Sequence, residues 1–492
     1  MTTEAQRGAT MVAETELRPG ALKLPAVLMQ SITHIAPAIA ALFFVQFIVG
    51  SAGLAMPIGY PIGVFFVLLT GLGLAELARA MPSAGGYYTY VARGVHPRAG
   101  FLVSWIYMLF SPTNAGPVLV FTGVVLAGQL GIVGDSITPF ALGFMLVGAT
   151  LVMGLQYRGI QFSSKVMVTL GVGELVIVTV LGLWGLLSPG PGGFNLSPLN
   201  PATFFAAPGF AIGILFTIQA MTGWEGAAPL GEESVNPRRI VPLAIVGSIL
   251  ILGLFLTVVT FGVFIGWGTD NVLDPAKGLA AATQLPGLIL AERFWGSGSV
   301  LVLAAILSST IAVVIAISNV STRMWFKMGE TGTLPKALAK VHPEYRTPTN
   351  AILAQWGLTL VWGLLLTLWL GPTDQFFFTG TYTGLGVLFI YVLGNLAVYR
   401  LYSTEYRSKY SPLRHLLIPL GSTVALVWVG YEVLIAIPAG NVGLAVPFAF
   451  AWVIGGVVVS LLLNKDLVSR AGESVSERPA TVAEEAALQG EW

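Results

Sequence analysis

Two apolar stretches of this chain carry polar residues near their middle. The first, "SITHIAPA", holds His34 and Pro37, and the second, "FTIQAMTGWEG", holds Gln219, Thr222 and Glu225. Imidazole, amide, hydroxyl and carboxyl groups can hydrogen-bond a small polar solute or take up a proton. In lipid, irregular polar backbone is tolerated only where it is buried in protein or lines a water-filled cavity. These residues therefore predict a binding site inside a membrane protein.

The composition supports a membrane location for both stretches. Of the 492 residues, 55% are hydrophobic and 10% are charged, and the mean hydropathy is +0.81. Soluble domains carry about 25% charged residues. The chain has no cysteine, which excludes disulfides and thiolate metal sites. The net charge of +1 predicts no nucleic acid partner.

Twelve segments are long and apolar enough to cross a bilayer, which takes about 20 residues. We number them as spans one to twelve, and they run roughly over residues 24–49, 58–80, 99–130, 138–156, 165–187, 206–230, 240–266, 298–327, 348–370, 376–401, 415–437 and 443–463.

The basic residues predict the orientation of the spans. With the N-terminus in the cytoplasm, every lysine and arginine except Lys277 and Arg293 lies on the cytoplasmic side, as the positive-inside rule requires. We therefore expect a multi-pass protein of the plasma membrane with both termini in the cytoplasm, polar tails at residues 1–23 and 464–492, and no cleaved signal peptide. The long external segment 267–297 is expected to hold a short interfacial helix.

Spans one and six are expected to break at comparable depth. Pro37 cannot donate to the helix ladder, so residues 33–36 should be unwound, and Thr222 with Gly223 interrupts span six. Because span six is five spans after span one, the two cross in opposite directions, as in an inverted repeat whose discontinuous helices meet at the midplane. The predicted fold is all-α and integral to the membrane, with twelve transmembrane helices. Its parts are a first repeat at 24–187, a second repeat at 206–401 and two further helices at 415–463.

The half-helix ends indicate the kind of ligand. The second half of span one would present a partly positive N-terminus, and the first half of span six a partly negative C-terminus. An α-amino acid would place its carboxylate on freed amides near residues 35–38 and its ammonium on carbonyls near residues 219–221. A single kink often only shapes packing, so it is the pair of breaks that predicts a site.

Three motifs give the chain a family resemblance. They are "AELARAMPSAGGYYTYVARGVHPRAGFLVSW", "GWEGAAPLGEESVNPRRIVPLAI" and "SNVSTRMWFKMGETGTLPKALAKVHPEYRTPTNAI". In order and spacing they resemble the amino acid, polyamine and organocation transporter superfamily, over about residues 20–465. The resemblance implies a five-plus-five inverted-repeat transporter, often proton-coupled, with substrate contacts in spans one, three, six, eight and ten.

Carried onto this chain, the resemblance places substrate contacts on three spans. They are Ser31, Thr33, His34, Ile35, Ala36, Asn114, Gln219, Ala220, Met221, Thr222, Gly223 and Trp224. The chain departs from many members because span one lacks a Gly-Ser-Gly break. Where many members have an aromatic gate in span six, this chain has Gln219 or Ala220, so Phe216 or Trp224 would serve instead.

Three ionisable residues lie deep in the spans. Glu174 is about 14 Å along span five from Lys165, close to the position of a lysine in some proton-coupled members. Apolar surroundings penalise a charged carboxyl, so we expect Glu174 to be the proton-coupling site or a counter-ion for a cationic substrate. The alternative is a protonated glutamate bonded within the bundle. Glu225 either caps the inner half of span six or joins proton coupling, and His34 either titrates or only packs.

Span eight and the cytoplasmic ends of the spans hold further candidates. Ser308, Ser309 and Thr310 offer oxygens to a cation such as Na⁺, although hydroxyls in membrane helices often bond to their own backbone. Six charged residues either pair to close an inner gate or are solvated topology determinants. These are Glu232, Glu233, Arg238, Arg239, Arg323 and Lys327.

Enzyme and channel functions fit the sequence less well. The four histidines are scattered, and no HExxH, G-x-S-x-G or P-loop motif occurs, so we expect no enzyme, metal or cofactor. A channel needs a continuous polar lining, which these spans lack. The sequence predicts a secondary transporter of small amino acids that works by alternating access, with proton symport or exchange. A polyamine or another organic amine is the alternative substrate.

Overall fold

The apolar runs of the sequence form helices in a computed structural model of the protein, which describes residues 17, 19–207, 209–279, 285–435 and 440–464. The predicted tails lie almost wholly outside these residues. The α-helices are Leu24–His34, Pro37–Leu42, Phe44–Ala52, Met56–Ala80, Tyr87–Gly94, Pro97–Gln129, Ile137–Tyr157, Ile160–Leu187, Pro201–Ala206, Phe210–Met221, Pro237–Trp267, Pro286–Trp295, Val300–Thr331, Thr349–Leu370, Asp374–Thr404, Ile418–Ile435 and Ala445–Leu462. A π-helical turn covers Leu413–Leu417.

Short 3₁₀ helices join several of these elements. They are Gly53–Ala55, Gly134–Ser136, Ser197–Leu199, Trp224–Glu233, Gly296–Ser299, Lys336–Ala339, Arg407–Lys409 and Gly440–Leu444.

Eleven helical segments among the described residues are long and apolar enough to cross a membrane. They correspond to the predicted spans with the exception of span six. Span six is too short as a single helix because its α-helix ends at Met221 and a 3₁₀ helix follows from Trp224. The short helix Pro286–Trp295 lies in the segment where we predicted an interfacial helix. The exact inverted-repeat relation of the two halves stays a prediction.

Span one is interrupted at Ala36. The first helix ends at His34, Ala36 has left-handed dihedrals of φ 57° and ψ 69°, and the next helix starts at Pro37. A residue before proline is pushed out of the α region by the proline ring. A left-handed alanine costs roughly 1–2 kcal/mol, so the surrounding structure holds this break against local strain. The predicted break is confirmed at Ile35 and Ala36, whereas Thr33 and His34 are still helical.

Span six is interrupted at Thr222 and Gly223. Thr222 is extended, and Gly223 has φ 117°. A Cβ atom on Gly223 would lie 2.6 Å from the carbonyl oxygen of His34, so only glycine allows this close approach. The two breaks therefore touch each other through their backbones.

The hydroxyl of Ser31 holds the two interrupted spans together. Ser31 Oγ donates to the carbonyl oxygen of Trp224 over 2.7 Å and accepts from the N–H of Ala227 over 3.0 Å. The side chain is fully buried. It satisfies backbone groups that the short 3₁₀ helix of span six leaves open, so it positions both breaks.

Span twelve is tied to span three by two tryptophans. The indole N–H of Trp105 donates to the carbonyl of Trp452, and that of Trp452 donates to the carbonyl of Trp105, each over 2.9 Å. The two rings stack with centroids 4.9 Å apart. This reciprocal pair fixes span twelve against span three.

Candidate functional site

A cavity of about 430 Å³ lies beside the two breaks. Spans one, three, six, eight and ten all contribute to it, which are the five spans that the family resemblance indicated. Its aromatic side, which we call the phenylalanine wall, consists of Phe43, Phe44, Phe47, Phe110, Phe216, Phe376 and Phe377. Its polar side chains are His34, Asn114, Gln219, Thr222, Thr381 and Thr383. None of the residues that line it is Asp, Glu, Lys or Arg.

His34 is the polar side chain of the cavity with the most to gain from a ligand. It is 3% exposed, and neither of its ring nitrogens has a hydrogen-bond partner among the described residues. Its ring lies 5.7 Å from that of Phe110. Leaving a buried donor or acceptor unpaired costs about 1–3 kcal/mol. A polar group bound in the cavity would recover part of that cost.

The amides of the first break are not free. Ile35 N–H donates to the Ile32 carbonyl over 3.3 Å, and Ala36 N–H donates to the Thr33 carbonyl over 3.0 Å. Proline 37 has no N–H, and Ala38 N–H donates to Glu174. Our prediction of freed amides at residues 35–38 is therefore wrong for this conformation. The reason is that local turns and a distant carboxyl satisfy these groups first.

The first half of span six ends against the cavity. Thr222 closes the helix, because its N–H donates to the Gln219 carbonyl over 3.0 Å and its hydroxyl to the Ile218 carbonyl over 3.1 Å. The amide of Gln219 donates to the Gly380 carbonyl on span ten over 2.5 Å. Both Gln219 and Thr222 line the cavity. The partly negative helix end thus faces it.

Glu174 lies behind the first break rather than in the cavity wall. Its side chain is fully buried, and Oε2 accepts the N–H of Ala38 over 3.2 Å. The hydroxyl of Ser309 faces the carboxyl, but neither Ser309 Oγ nor Glu174 Oε1 makes a hydrogen bond of normal geometry. These two oxygens face each other between span five and span eight.

The other two hydroxyls proposed as cation ligands on span eight, those of Ser308 and Thr310, already make hydrogen bonds. Ser308 donates to the Ala305 carbonyl over 3.0 Å, and Thr310 donates to the Ile306 carbonyl over 2.9 Å. Thr310 also lies 2.7 Å from the hydroxyl of Thr122. Of the three candidates, Ser309 is therefore the one placed next to a carboxyl. No group of three His, Asp or Glu side chains in the described part of the chain could hold a metal ion.

Glu225 is held by three donors. Tyr107 O–H donates to Oε1 over 3.2 Å, and Tyr391 O–H and Gly223 N–H donate to Oε2 over 2.9 and 3.1 Å. The residue is 1% exposed and does not line the cavity. This arrangement matches the capping alternative, since the carboxyl anchors the start of the inner half of span six.

The structure divides the predicted contacts into two groups. His34, Ile35, Ala36, Asn114, Gln219 and Thr222 line the cavity. Ser31, Thr33, Ala220, Met221, Gly223 and Trp224 do not line it and are buried around the breaks. Gly223 makes the backbone contact described above. Thr33, for example, bonds back to the Met29 carbonyl over 2.7 Å. A role of the second group in binding stays a prediction.

Of the two aromatic residues that the sequence suggested as a gate, Phe216 lines the cavity and Trp224 does not. Sequence reasoning missed the rest of the phenylalanine wall and the two tyrosines on Glu225. Phe376 and Phe377 come from span ten, and Tyr107 and Tyr391 come from spans three and ten. Aromatic residues are frequent in all the spans, so their spacing gave no signal. Only the family's use of spans three and ten could have directed attention to them.

Two ion pairs lie where the second half of span six meets span eight. The guanidinium of Arg323 donates to both oxygens of Glu233, over 2.6 and 3.4 Å, and both side chains are almost fully buried. Lys327 pairs with Glu232 over 3.2 Å. Four of the six charged residues predicted here thus form pairs. Beneath them, the chain at Leu22 bonds to the segment that ends span six.

Comparison with known proteins covers nearly the whole chain. The model of the family "Amino acid permease" matches residues 22–460. The serine/threonine exchanger SteT of Bacillus subtilis (strain 168) is 27% identical over 62% of this chain and 67% of its own length. The low-affinity putrescine importer PlaP of Escherichia coli (strain K12) is 25% identical over 62% of this chain and 66% of its own.

A third similar protein is a mammalian transporter. The Asc-type amino acid transporter 1 of Mus musculus is 26% identical over 63% of this chain and 58% of its own length. The chain therefore spans about two thirds or less of these relatives. All three are exchangers, importers or transporters rather than enzymes. With its membrane-crossing helices and this match, the chain is a multi-pass membrane protein of the amino acid permease family, within the amino acid, polyamine and organocation superfamily.

Proposed function

We propose that this protein is a secondary active transporter that binds an amino acid or amine in the cavity and moves it by alternating access. The observation that carries the proposal is the place of the cavity, at the contact between two interrupted helices. Interrupted helices offer partly charged ends to a small solute at mid-membrane depth. The relatives include both an amino acid exchanger and a putrescine importer, which supports either substrate class.

The structure supports an outward-facing state. The cavity is lined by the first break, the second half of span one and the first half of span six. The Arg323–Glu233 pair lies at the end of the second half of span six. With the termini in the cytoplasm, as the positive-inside rule predicts, the cavity would face the outside of the plasma membrane. Opening inward would then require these ion pairs to separate.

We propose Glu174 as the coupling proton site. Its carboxyl accepts the N–H of Ala38, the first N–H after the break in span one. Protonation would weaken this charge-assisted hydrogen bond, so the proton could change how firmly the break is held. Na⁺ is the second candidate, because Glu174 Oε1 and Ser309 Oγ are both unpaired. Replacing sodium with choline in the assay distinguishes the two.

The kind of substrate has two candidates. Amino acids remain first because the relatives' names favour them and because the half-helix ends suit a zwitterion. An amine without a carboxylate is favoured by one observation, namely that the amides at residues 35, 36 and 38 are already bonded. The cavity volume of about 430 Å³ also exceeds the need of the small amino acids that the sequence suggested.

Uptake into proteoliposomes tests the proposal. A carrier should show saturable uptake of a labelled amino acid or amine, counterflow against unlabelled substrate, and stimulation by an inward proton gradient. Non-saturating flux with single-channel conductance would instead show a channel. Absence of any saturable uptake across a panel of amino acids and amines would refute the proposal.

A further inference from the structure

We infer that the cavity selects an arylalkyl ammonium, that is, a substrate with one ammonium group joined by a short linker to an aromatic ring. The inference rests on the proposed transport function and narrows its substrate class. Two sources share this chemistry, aromatic amino acids and aromatic amines. They differ only in the carboxylate, so separate probes can distinguish them.

The phenylalanine wall provides an apolar surface that the aromatic ring of a substrate can contact. Its members come from four spans, namely one, three, six and ten. Phe47 lies 5.4 Å from Phe216 and 5.4 Å from Phe377, and Phe43 lies 5.4 Å from Phe376 in an edge-on contact. Aromatic rings prefer such offset and edge-on neighbours. A polar side chain of a substrate would face these rings without hydrogen-bond partners, which is unfavourable.

Phe376 is held in place from behind. Its ring stacks on Phe121 with centroids 4.3 Å apart and an interplanar angle of 18°. Phe121 is buried and is not part of the cavity lining. The wall is therefore a supported surface, and a cavity of this size is within the range of roughly 300–1,000 Å³ typical for small-molecule sites.

The lining accommodates one ammonium group and not two. Among the described residues, no aspartate, glutamate, lysine or arginine lines the cavity. A second ammonium, as in a diamine, or a charged amino acid side chain would be buried against phenylalanine without a counter-charge, at high cost. The single ammonium has a place at the partly negative end of Phe210–Met221, where Gln219 and Thr222 line the cavity.

His34 completes the polar end. A neutral imidazole has one donor and one acceptor nitrogen, and both are unpaired here. The acceptor nitrogen suits an ammonium of either source, whereas the donor N–H would be used only by a carboxylate. The cavity therefore combines polar groups at the two breaks with a lining of phenylalanine, as an arylalkyl ammonium requires.

The test measures binding of four probes to the purified full-length protein by isothermal titration calorimetry. These are L-phenylalanine, 2-phenylethylamine, L-serine and putrescine. We expect at least one aromatic probe to bind about tenfold or more tightly than both L-serine and putrescine, in the range by which apolar pockets discriminate. Tighter binding of 2-phenylethylamine would assign the aromatic amine, and tighter binding of L-phenylalanine the aromatic amino acid.

Equal or tighter binding of L-serine or putrescine, or no binding of either aromatic probe, overturns the inference. Transport itself is judged separately by counterflow in liposomes. Counterflow of serine or putrescine without preference for a ring would leave the transporter standing and remove only the aromatic preference.

A pair of matched variants links any preference to the wall. Phe377→Ala should weaken the aromatic probe about tenfold or more and leave L-serine unchanged. Phe65→Ala is the control, because Phe65 is 56% exposed on the outside of span two, and it should leave all four affinities unchanged. Phe216→Leu removes a second ring at nearly constant volume and should act like Phe377→Ala if that variant fails to fold. Unchanged affinity of the aromatic probe in both wall variants contradicts the inference.

Discussion

The backbone N–H of Ala38 donates to Oε2 of Glu174 over 3.2 Å, across 136 residues of sequence. This bond joins the start of the second half of span one to the middle of span five. It places a fully buried carboxyl at the positive end of the short helix Pro37–Leu42. An acid is favoured in that position by the helix dipole. The carboxyl is therefore placed so that its protonation state bears on the first break.

Glu174→Gln should abolish uptake driven by a proton gradient while sparing exchange. Glutamine keeps an oxygen that can accept the N–H of Ala38, but it cannot bind or release a proton. The measurement is uptake into proteoliposomes over a series of external pH values, with substrate counterflow as the control for folding and binding. If the variant keeps the pH dependence of the unmodified protein, Glu174 is not the coupling site.

Arg323→Ala should destabilise the protein and loosen its inner face. The change leaves the carboxyl of Glu233 buried without its partner, and removing one member of a buried pair costs roughly 3–5 kcal/mol. Thermal unfolding measures the loss. The double variant Arg323→Ala with Glu233→Ala should be less damaged than the single variant.

Arg93 provides a matched control for that measurement. It pairs with Glu405 over 2.8 Å, and both side chains are partly exposed. Exposed pairs contribute about 0–1 kcal/mol, so Arg93→Ala should shift the unfolding midpoint little. Equal shifts of the unfolding midpoint in Arg93→Ala and Arg323→Ala would show that the Arg323–Glu233 pair contributes no more to stability than the exposed pair.

His34→Leu should stabilise the free protein and weaken substrate binding. The substitution removes two buried nitrogens without partners, each of which costs about 1–3 kcal/mol when unpaired. The expected result is a higher unfolding midpoint together with a lower affinity for the transported substrate. A lower midpoint with unchanged affinity would indicate that His34 serves packing alone.

Gly223→Ala should abolish transport. The new Cβ atom would lie 2.6 Å from the carbonyl oxygen of His34, and an alanine at φ 117° is strained. The two breaks would be forced apart. Gly173→Ala is the control, because a Cβ atom there meets no other atom within 4 Å, and its uptake should match that of the unmodified protein. Normal uptake by Gly223→Ala would show that the backbone contact is dispensable.

Much of the architecture could be predicted because it depends on local chemistry. Runs of about 20 apolar residues define membrane-crossing helices, and eleven of the twelve predicted spans correspond to helical segments long and apolar enough to cross a membrane. Span six is the exception, because it is interrupted. The break before Pro37 follows from the steric effect of proline on the preceding residue, and the break at Gly223 from the freedom of glycine.

The hydrogen-bond partners of the site residues could not be predicted in this way. We expected free amides after residue 34, but Glu174 takes the N–H of Ala38. We left Glu225 with two alternatives, and Tyr107 and Tyr391 supply donors that match one of them. These contacts depend on how helices far apart in sequence rotate and pack, and helical periodicity contains no information on that.

The sequence by itself determined the helical membrane class, the two breaks and the family, because hydropathy, proline, glycine and motif order act locally along the chain. Only the tertiary structure decided that His34 lines the same cavity as seven phenylalanines and that Arg323 pairs with Glu233. Those relationships arise where five spans converge, since side chains from separate helices become neighbours only when the helices pack.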